Sequence, residues 1–134
     1  MSEQPLMMLH AYRIVECRGD EVYTLFHAIP YNGKRSRKIP IKTWVKAEHK
    51  MVTDGSSQKE YLSGFNVLLD LGKMKEYVGR FTKKRDLRII KVLVNIPLRS
   101  KKHSKSDVYL ADYMMVPPNW KETSIKIKLA KKNQ

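Results

Sequence analysis

Residues 87–96, LRIIKVLVNI, constrain the fold of this chain more than any other segment. Their apolar residues, several of them β-branched, form a nearly continuous run instead of alternating with polar ones. A run of this kind and length is typical of a strand in the interior of a sheet, with both of its faces covered. The sequence therefore predicts that residues 87–96 form a central strand of a sheet.

A β-hairpin is predicted near the amino terminus. Residues 8–16 (MLHAYRIVE) and 22–29 (VYTLFHAI) are rich in β-branched and aromatic residues, and Gly19 lies between them, where a turn is needed. Alternate side chains of a strand share a face, and neither face of residues 8–16 would be purely polar. We therefore expect both faces of this strand to be partly covered.

One main helix is predicted from about residue 71 to residue 81. Its apolar stripe follows the i, i+3, i+4, i+7 spacing of an amphipathic helix and consists of Met74, Tyr77, Val78 and Phe81. Asp70 is placed to cap the first turn by accepting hydrogen bonds from free backbone N–H groups. Gly72 and Gly79 each weaken the helix by up to about 1 kcal/mol relative to alanine, so we expect it to depend on docking.

Shorter elements complete the predicted fold. One or two strands are expected in residues 39–52, a short buried segment in 65–69 and another strand in 108–116. In the tail, residues 119–134, positions 124–129 alternate polar with apolar and would form an edge strand, followed by a frayed end. The predicted fold class is α+β: a curved, mostly antiparallel sheet of five to seven strands with one main helix, in a single domain spanning residues 1–134.

The charge of the chain is its strongest functional signal. The formal net charge is +14, from 27 lysines and arginines against 13 aspartates and glutamates. Residues 1–33 hold two cations and four anions, so the rest of the chain carries +16. Self-repulsion on this scale disfavours a small fold, and binding to phosphates is a common compensation because it releases condensed counterions. The sequence therefore predicts that the partner is nucleic acid (DNA or RNA) or a nucleoprotein complex.

Two basic segments are the predicted contact elements. Residues 30–38 (PYNGKRSRK) are expected to form an exposed loop, and neither residues 33–38 nor residues 99–105 contain a carboxylate. Trp44 follows the first loop, and aromatic rings among cations suit unpaired bases, each stack contributing roughly 1–3 kcal/mol. With the polar side of the helix, the candidate nucleic-acid-binding residues are Lys34, Arg35, Arg37, Lys38, Trp44, Lys73, Lys75, Arg80, Arg99, Lys101, Lys102 and Lys105. The alternatives are solvated loops and, for Trp44, a core residue that anchors its strand.

Catalysis has no support in the motifs of this sequence. The four histidines form no HExxH or HxH pattern, and no GxSxG motif, P-loop or GxGxxG motif is present. The single cysteine, Cys17, excludes an internal disulfide and argues against a Cys-based zinc site, which needs two or more cysteines. We therefore expect no catalytic residue, no metal site and no cofactor.

The sequence also indicates a compartment. No apolar run approaches the roughly 20 residues that a membrane-spanning helix needs. The start, MSEQPLMML, lacks the basic region and the long apolar stretch of a signal peptide. With its lone cysteine, the chain is predicted to be a cytoplasmic protein without a membrane partner.

Residues 61–67, YLSGFNV, precede the predicted helix with Tyr77 and the IIKVLV strand. This order resembles that of small uncharacterised phage and plasmid proteins, which carry a Y-x-S/T-G-F-H-x-F segment before a helix and a strand. The match covers residues 61–96, with Asn66 in place of the family's usual histidine and Leu68 in place of its second aromatic residue. The resemblance implies a mobile-element origin and no specific activity.

Two alternatives to direct nucleic-acid binding remain open. A protein of this origin could inhibit a host nucleoprotein complex, as anti-CRISPR proteins do, by occupying a nucleic-acid groove or by contacting the bound RNA. The chain also resembles, more loosely, ADP-ribosyltransferase-like folds, in which a Tyr-x-Ser strand follows a first strand with a histidine or an arginine. The residues that this second resemblance would place in a pocket are His10, Arg13, Tyr61 and Ser63.

Overall fold

The computed structural model describes residues 7–25, 29–53, 60–78, 86–100 and 108–127. Its strands are β1 (Met8–Arg18), β2 (Glu21–Tyr23), β3 (Ile29–Tyr31), β4 (Lys34–Ser36), β5 (Lys38–Ile39), β6 (Trp44–Lys46), β7 (Met51–Thr53), β8 (Glu60–Leu62), β9 (Phe65–Val67), β10 (Leu87–Asn95), β11 (Arg99–Ser100), β12 (Tyr109–Ala111), β13 (Tyr113–Met115) and β14 (Ile125–Lys126). Its helices are α1 (Leu71–Val78) and α2 (Trp120–Thr123). Strands predominate over helices in these ranges, and the α+β class is confirmed.

Strand β10 lies in the middle of the main sheet, as its apolar run predicts. One side of β10 pairs antiparallel with β1 over nine residue pairs. The other side pairs with β13 toward one end of the strand and with β14 toward the other. The strand order is β5-β2-β1-β10-β13-β6, with β14 also on β10. The prediction of a mostly antiparallel sheet of five to seven strands is therefore confirmed.

The predicted amino-terminal hairpin is formed by β1 and β2. Cys17 lies opposite Val22, and Gly19 occupies the turn with a φ of +60°. Few residues other than glycine adopt this left-handed conformation without strain, which explains the position of Gly19 in the sequence. Strand β1 continues to Arg18, two residues beyond its predicted end.

The main sheet curls where two consecutive strands, β12 and β13, belong to different sheets. Strands β12 and β13 are separated by a single residue, Asp112, and β12 pairs with β9 and β11 in a second, three-stranded sheet. The predicted single strand of residues 108–116 is thus bent at Asp112. Beyond β9, Leu68 exchanges two backbone hydrogen bonds with Tyr12 of β1, at 2.7 and 2.9 Å. The second sheet therefore folds back onto the first strand of the main sheet.

Two apolar clusters lie on opposite sides of the main sheet. The inner cluster includes Ala11, Val92, Val94, Met114 and Phe65, and these residues are at most 5% exposed. The outer cluster is smaller and places Met74 of α1 against Ile14, Leu68, Leu87 and Ile89. The predicted covering of β10 on both sides is confirmed from Leu87 to Ile90, whereas further along the strand one face, with Lys91, Leu93 and Asn95, is only half-buried.

Helix α1 begins where its cap predicts. The Oδ1 atom of Asp70 accepts hydrogen bonds from the backbone N–H groups of Gly72, at 2.7 Å, and Lys73, at 3.3 Å. Met74, the first residue of the predicted apolar stripe, is 1% exposed, so the helix docks at this residue. Residues 79–81, at the predicted end of the helix, lie outside the described residues.

The prediction of a loop over residues 30–38 is wrong, although most of these residues are exposed as predicted. Strands β3 and β4 form a hairpin there, and β5 follows as a partner of β2. The turn consists of Asn32 and Gly33, with φ angles of +52° and +75°. Positive φ at both central residues is the signature of the two-residue hairpin turn that Asn-Gly favours, so the dipeptide marks a hairpin and not a long loop.

The tail contains an element that periodicity did not predict. Helix α2 lies between Pro118 and β14, and its Trp120 is 4% exposed. Strand β14 pairs with β10 through Ile125 and Lys126, within the segment predicted as an edge strand. Residues 128–134 lie outside the described residues.

Candidate functional site

Ion pairs occupy three of the four cations predicted as contacts in residues 34–38. Arg35 forms a two-pronged pair with Glu48, and Lys38 pairs with Glu21. Arg37 donates to Glu16 at 3.0 Å and to the carbonyl oxygens of Thr24 and Leu25 at 3.0 and 3.2 Å. Only Lys34 has no hydrogen bond or ion pair from its side chain to another described residue. Most of the charge in this segment is therefore neutralised locally.

Arg37 acts on a buried carboxylate. Glu16 is 4% exposed, and its two oxygens bind Arg37 and the Nε of Arg18, the latter at 2.9 Å. The guanidinium of Arg18 also lies 4.4 Å from the centre of the Tyr23 ring. A buried charge is costly unless it is paired and hydrogen-bonded. Glu16 and Arg37 therefore fasten β1 to the β4–β5 segment.

Arg99 is similarly committed to the fold. Its Nη1 donates to the carbonyl oxygen of Leu62 at 2.8 Å, and its Nη2 donates to that of Ser63 at 2.9 Å. The same Nη2 also donates to Oδ1 of Asp112 at 3.1 Å. Arg99 thus ties the connection between β8 and β9 to the bend of the sheet.

The structure contains a polar cluster around Asp112 that the sequence did not predict. The Nε2 atom of His49 lies 2.8 Å from Oδ1 of Asp112, on the same carboxylate that Arg99 binds. Ser63 donates through Oγ to the carbonyl of Glu48 at 2.5 Å and accepts from the N–H of Lys50 at 3.1 Å. The Ser63 proton is therefore directed at a carbonyl oxygen and not at His49, which disfavours a Ser–His–Asp nucleophile. The cluster joins residues 48–50 to the bend and serves the fold.

The four residues suggested by the transferase resemblance do not converge on one pocket. His10 and Arg13 are three residues apart on β1, which places them on opposite faces of the sheet. Arg13 donates to the carbonyl oxygen of Asn66 at 3.0 Å and lies 5.6 Å from the centre of the Phe65 ring. Ser63 belongs to the cluster around Asp112, whereas Tyr61 lies on β8, opposite Val52 of β7. This arrangement offers no support for a shared site.

The remaining predicted contacts fall into three groups. Trp44 is 7% exposed, which leaves little of its ring for a base. Lys73 lies on α1 and is exposed. The side chain of Lys75 and all of Arg80, Lys101, Lys102 and Lys105 lie outside the described residues.

Strand register assembles a second set of residues, which the sequence analysis missed. In an antiparallel sheet, directly paired residues point to the same face. His10, Leu93, Met115 and Trp44 form one such row across β1, β10, β13 and β6. Tyr12 pairs with Lys91, and Tyr113 pairs with Lys46. The neighbours of these residues along each strand, Ala11, Val92, Val94, Met114 and Val45, belong to the inner cluster, so the rows lie on the opposite side of the sheet.

We call this surface the outer face; it consists of His10, Tyr12, Lys46, Lys91, Leu93, Tyr113 and Met115. His10 and Lys46 are exposed, and the other five are half-buried. The side chains of His10, Lys46 and Lys91 make no hydrogen bond or ion pair with other residues that the structure describes. No aspartate or glutamate occurs in these rows. The outer face therefore combines partly exposed rings with lysines that form no ion pair with another described residue. Alternation within β1 was visible in the sequence, but the pairing of Tyr113 with Lys46 was not.

Three further findings bear on the chemistry. Among the described residues, no group of three or more His, Cys, Asp or Glu side chains could hold a metal ion. No helix in the same ranges is long and apolar enough to cross a membrane. No protein-family model, curated protein or solved structure matches this chain. The charges and the geometry of the chain itself are therefore the basis for inferring its function.

Proposed function

We propose that this protein binds nucleic acid without catalysing a reaction on it. The observation that carries the proposal is the way in which charges are paired. Of the nine carboxylates whose side chains the structure describes, seven are bound to a cation or to a helix terminus: Glu16, Asp20, Glu21, Glu48, Asp70, Asp86 and Asp112. These seven carboxylates thus have their partners within the chain.

Among the described residues, the cations whose side chains have no such partner are lysines. Five have side chains with no hydrogen bond or ion pair to another described residue: Lys34, Lys42, Lys46, Lys91 and Lys126. The opposite charges of an ion pair largely cancel at a distance, whereas an ammonium group without such a partner attracts a phosphate that comes within the Debye length, about 8 Å in physiological salt. Lysine is a compact point charge, which suits contacts with phosphate oxygens independently of base sequence.

Arginines and lysines have different tasks in this arrangement. Arg37 and Arg99 each bind a carboxylate and two carbonyl oxygens, so their fork-shaped groups hold the fold together. The lysines remain for a partner outside the chain. The proposal thus moves the contact residues away from Arg37 and Arg99 and towards the lysines of the surface.

Fluorescence anisotropy with labelled DNA and RNA oligonucleotides tests this proposal. We expect binding that weakens steeply between about 50 and 200 mM salt, with a slope of log K against log salt that counts the phosphates contacted. Absence of binding to every single-stranded and duplex oligonucleotide at 50 mM salt would refute direct binding.

The alternative function, inhibition of a nucleoprotein complex, predicts a different outcome of the binding measurement. A protein of that kind would ignore free oligonucleotides and would be captured from a lysate with a nucleoprotein complex. Nuclease treatment before the capture separates the two cases, because a partner held through nucleic acid alone is lost. Retention of a protein partner after the nuclease would favour inhibition.

A further inference from the structure

We infer that the ligand is a single strand, whose bases stack on the outer face while its phosphates contact Lys46 and Lys91. This inference rests on the proposed function and specifies the site and the strandedness of the ligand. It depends on the rings of His10, Tyr12 and Tyr113, which register places on one side of the main sheet.

The composition of the outer face suits unpaired bases. Apolar side chains, Leu93 and Met115, lie in the central row between the rings. Stacking requires a flat ring and an apolar surround, and it tolerates any base because every base has a π-face. A lysine directly pairs with each tyrosine: Lys91 with Tyr12, and Lys46 with Tyr113. Each tyrosine ring is thus accompanied by a cation for the adjoining phosphate.

The spacing of the rings requires a chain of nucleotides and not a single one. Residues two apart on a strand lie about 7 Å apart, which separates His10 from Tyr12. Strand β13 is two strands away from β1, or about 10 Å. Tyr113 is also displaced from His10 and Tyr12 along the strand direction, because it lies in neither of their rows. One base could not contact all three rings. A strand running obliquely across β1, β10 and β13 could place successive bases on them.

The outer face is bounded by helix α1 and, at the end of its central row, by the buried Trp44. Helix α1 covers the sheet at Ile14 and Ile89, where Met74 packs. From His10 to Tyr113 no acidic side chain occurs in the paired rows. A duplex presents phosphates and hides the flat sides of its bases, so it could use the lysines but not the rings. Charge complementarity, the exposed His10 and the half-buried tyrosine rings together favour a single strand over an acidic peptide or a duplex.

Ring-specific variants test the inference. Tyr113→Leu keeps an apolar side chain but removes the ring, and Tyr113→Phe keeps the ring. We expect Tyr113→Leu to weaken binding of a labelled 15-nucleotide single strand about 5- to 100-fold, and Tyr113→Phe to change it less than about twofold. Lys46→Gln should lower the salt slope by about one phosphate. The matched control is Lys121→Gln, because Lys121 binds Asp20 and lies outside the outer face.

A second measurement keeps the test independent of folding. Upfield NMR shifts of the tyrosine ring protons on titration with the single strand report stacking in the unaltered protein. Equal effects of Tyr113→Leu and Tyr113→Phe, or binding of a duplex or an oligoglutamate as tightly as the single strand, would overturn the inference while nucleic-acid binding itself stood. Failure of every oligonucleotide to bind would overturn the proposed function as well.

Discussion

The carboxylate of Glu16 and the guanidinium of Arg37 lie 3.0 Å apart, although the two residues are 21 positions apart in the sequence. Glu16 is 4% exposed, so the pair stabilises the contact between β1 and the segment that follows β4 only as long as both charges are present. Removal of one partner leaves a charge that the interior solvates poorly.

Arg37→Ala should therefore destabilise the fold. We expect the free energy of unfolding to fall by about 1–3 kcal/mol, because Arg18 still binds the carboxylate of Glu16. Urea denaturation followed by circular dichroism measures the change. Lys38→Ala is the matched control: its pair with Glu21 is exposed, so a much smaller loss is expected. Equal losses in the two variants would contradict the role assigned to Arg37.

Gly64 leaves no room for a side chain. A Cβ atom there would lie 2.8 Å from Nη2 of Arg99 and 3.0 Å from the carbonyl oxygen of Ala111. We expect Gly64→Ala to lower the free energy of unfolding by about 1–3 kcal/mol, because the Arg99 guanidinium must shift from the oxygens that it binds and the Ala111 carbonyl is crowded. At Gly72, the nearest atom is a side-chain oxygen of Asp70, at 3.1 Å. Thermal unfolding should therefore show a much smaller change for Gly72→Ala, and a reversed order would contradict the crowding at Gly64.

The thiol of Cys17 should be slow to react in the folded protein. Burial raises the pKa of Cys17 from 9.0 to about 11, so at pH 8 the thiolate fraction is about 100-fold lower than in the unfolded chain. Stability from the neutral thiol is present below pH 9 and is lost as the pH rises through about 11. Alkylation by iodoacetamide at pH 8, with and without denaturing urea, measures the ratio of rates. Similar rates in the two conditions would show that the thiol is accessible.

Glu48 should contribute to acid sensitivity. Its hydrogen bond from Arg35, and next that from Lys50, lower the pKa of Glu48 from 4.5 to about 2. Since the folded pKa is the lower one, the stabilisation is present above pH 4.5 and is lost as the pH falls through about 2. Urea midpoints between pH 6 and pH 2.5 should fall less steeply in Glu48→Gln. The control is Glu60→Gln, at an exposed residue without an ion pair to another described residue, and its curve should follow that of the unaltered protein.

Several features of the fold could be predicted because their causes are local in sequence. The apolar run of β10, the cap at Asp70 and the turn at Gly19 each depend on a few neighbouring residues. The hairpin at Asn32 and Gly33 was also encoded locally, but its turn was interpreted as part of a loop. The bend at Asp112 was not predictable, because it arises where the chain passes from β12, which pairs with β9, to β13, which pairs with β6.

The sequence by itself determined the excess of positive charge, the central strand and the α+β class. Only the tertiary structure decided which cations have partners, since the pairs Arg35–Glu48 and Arg99–Asp112 join residues 13 positions apart that meet only in the folded chain. It also decided which rings share a face with which lysines, as Tyr113 and Lys46 do. The physical reason is that side chains alternate across a sheet with a period of two, so a shift of one residue in register would exchange the outer face for the inner one.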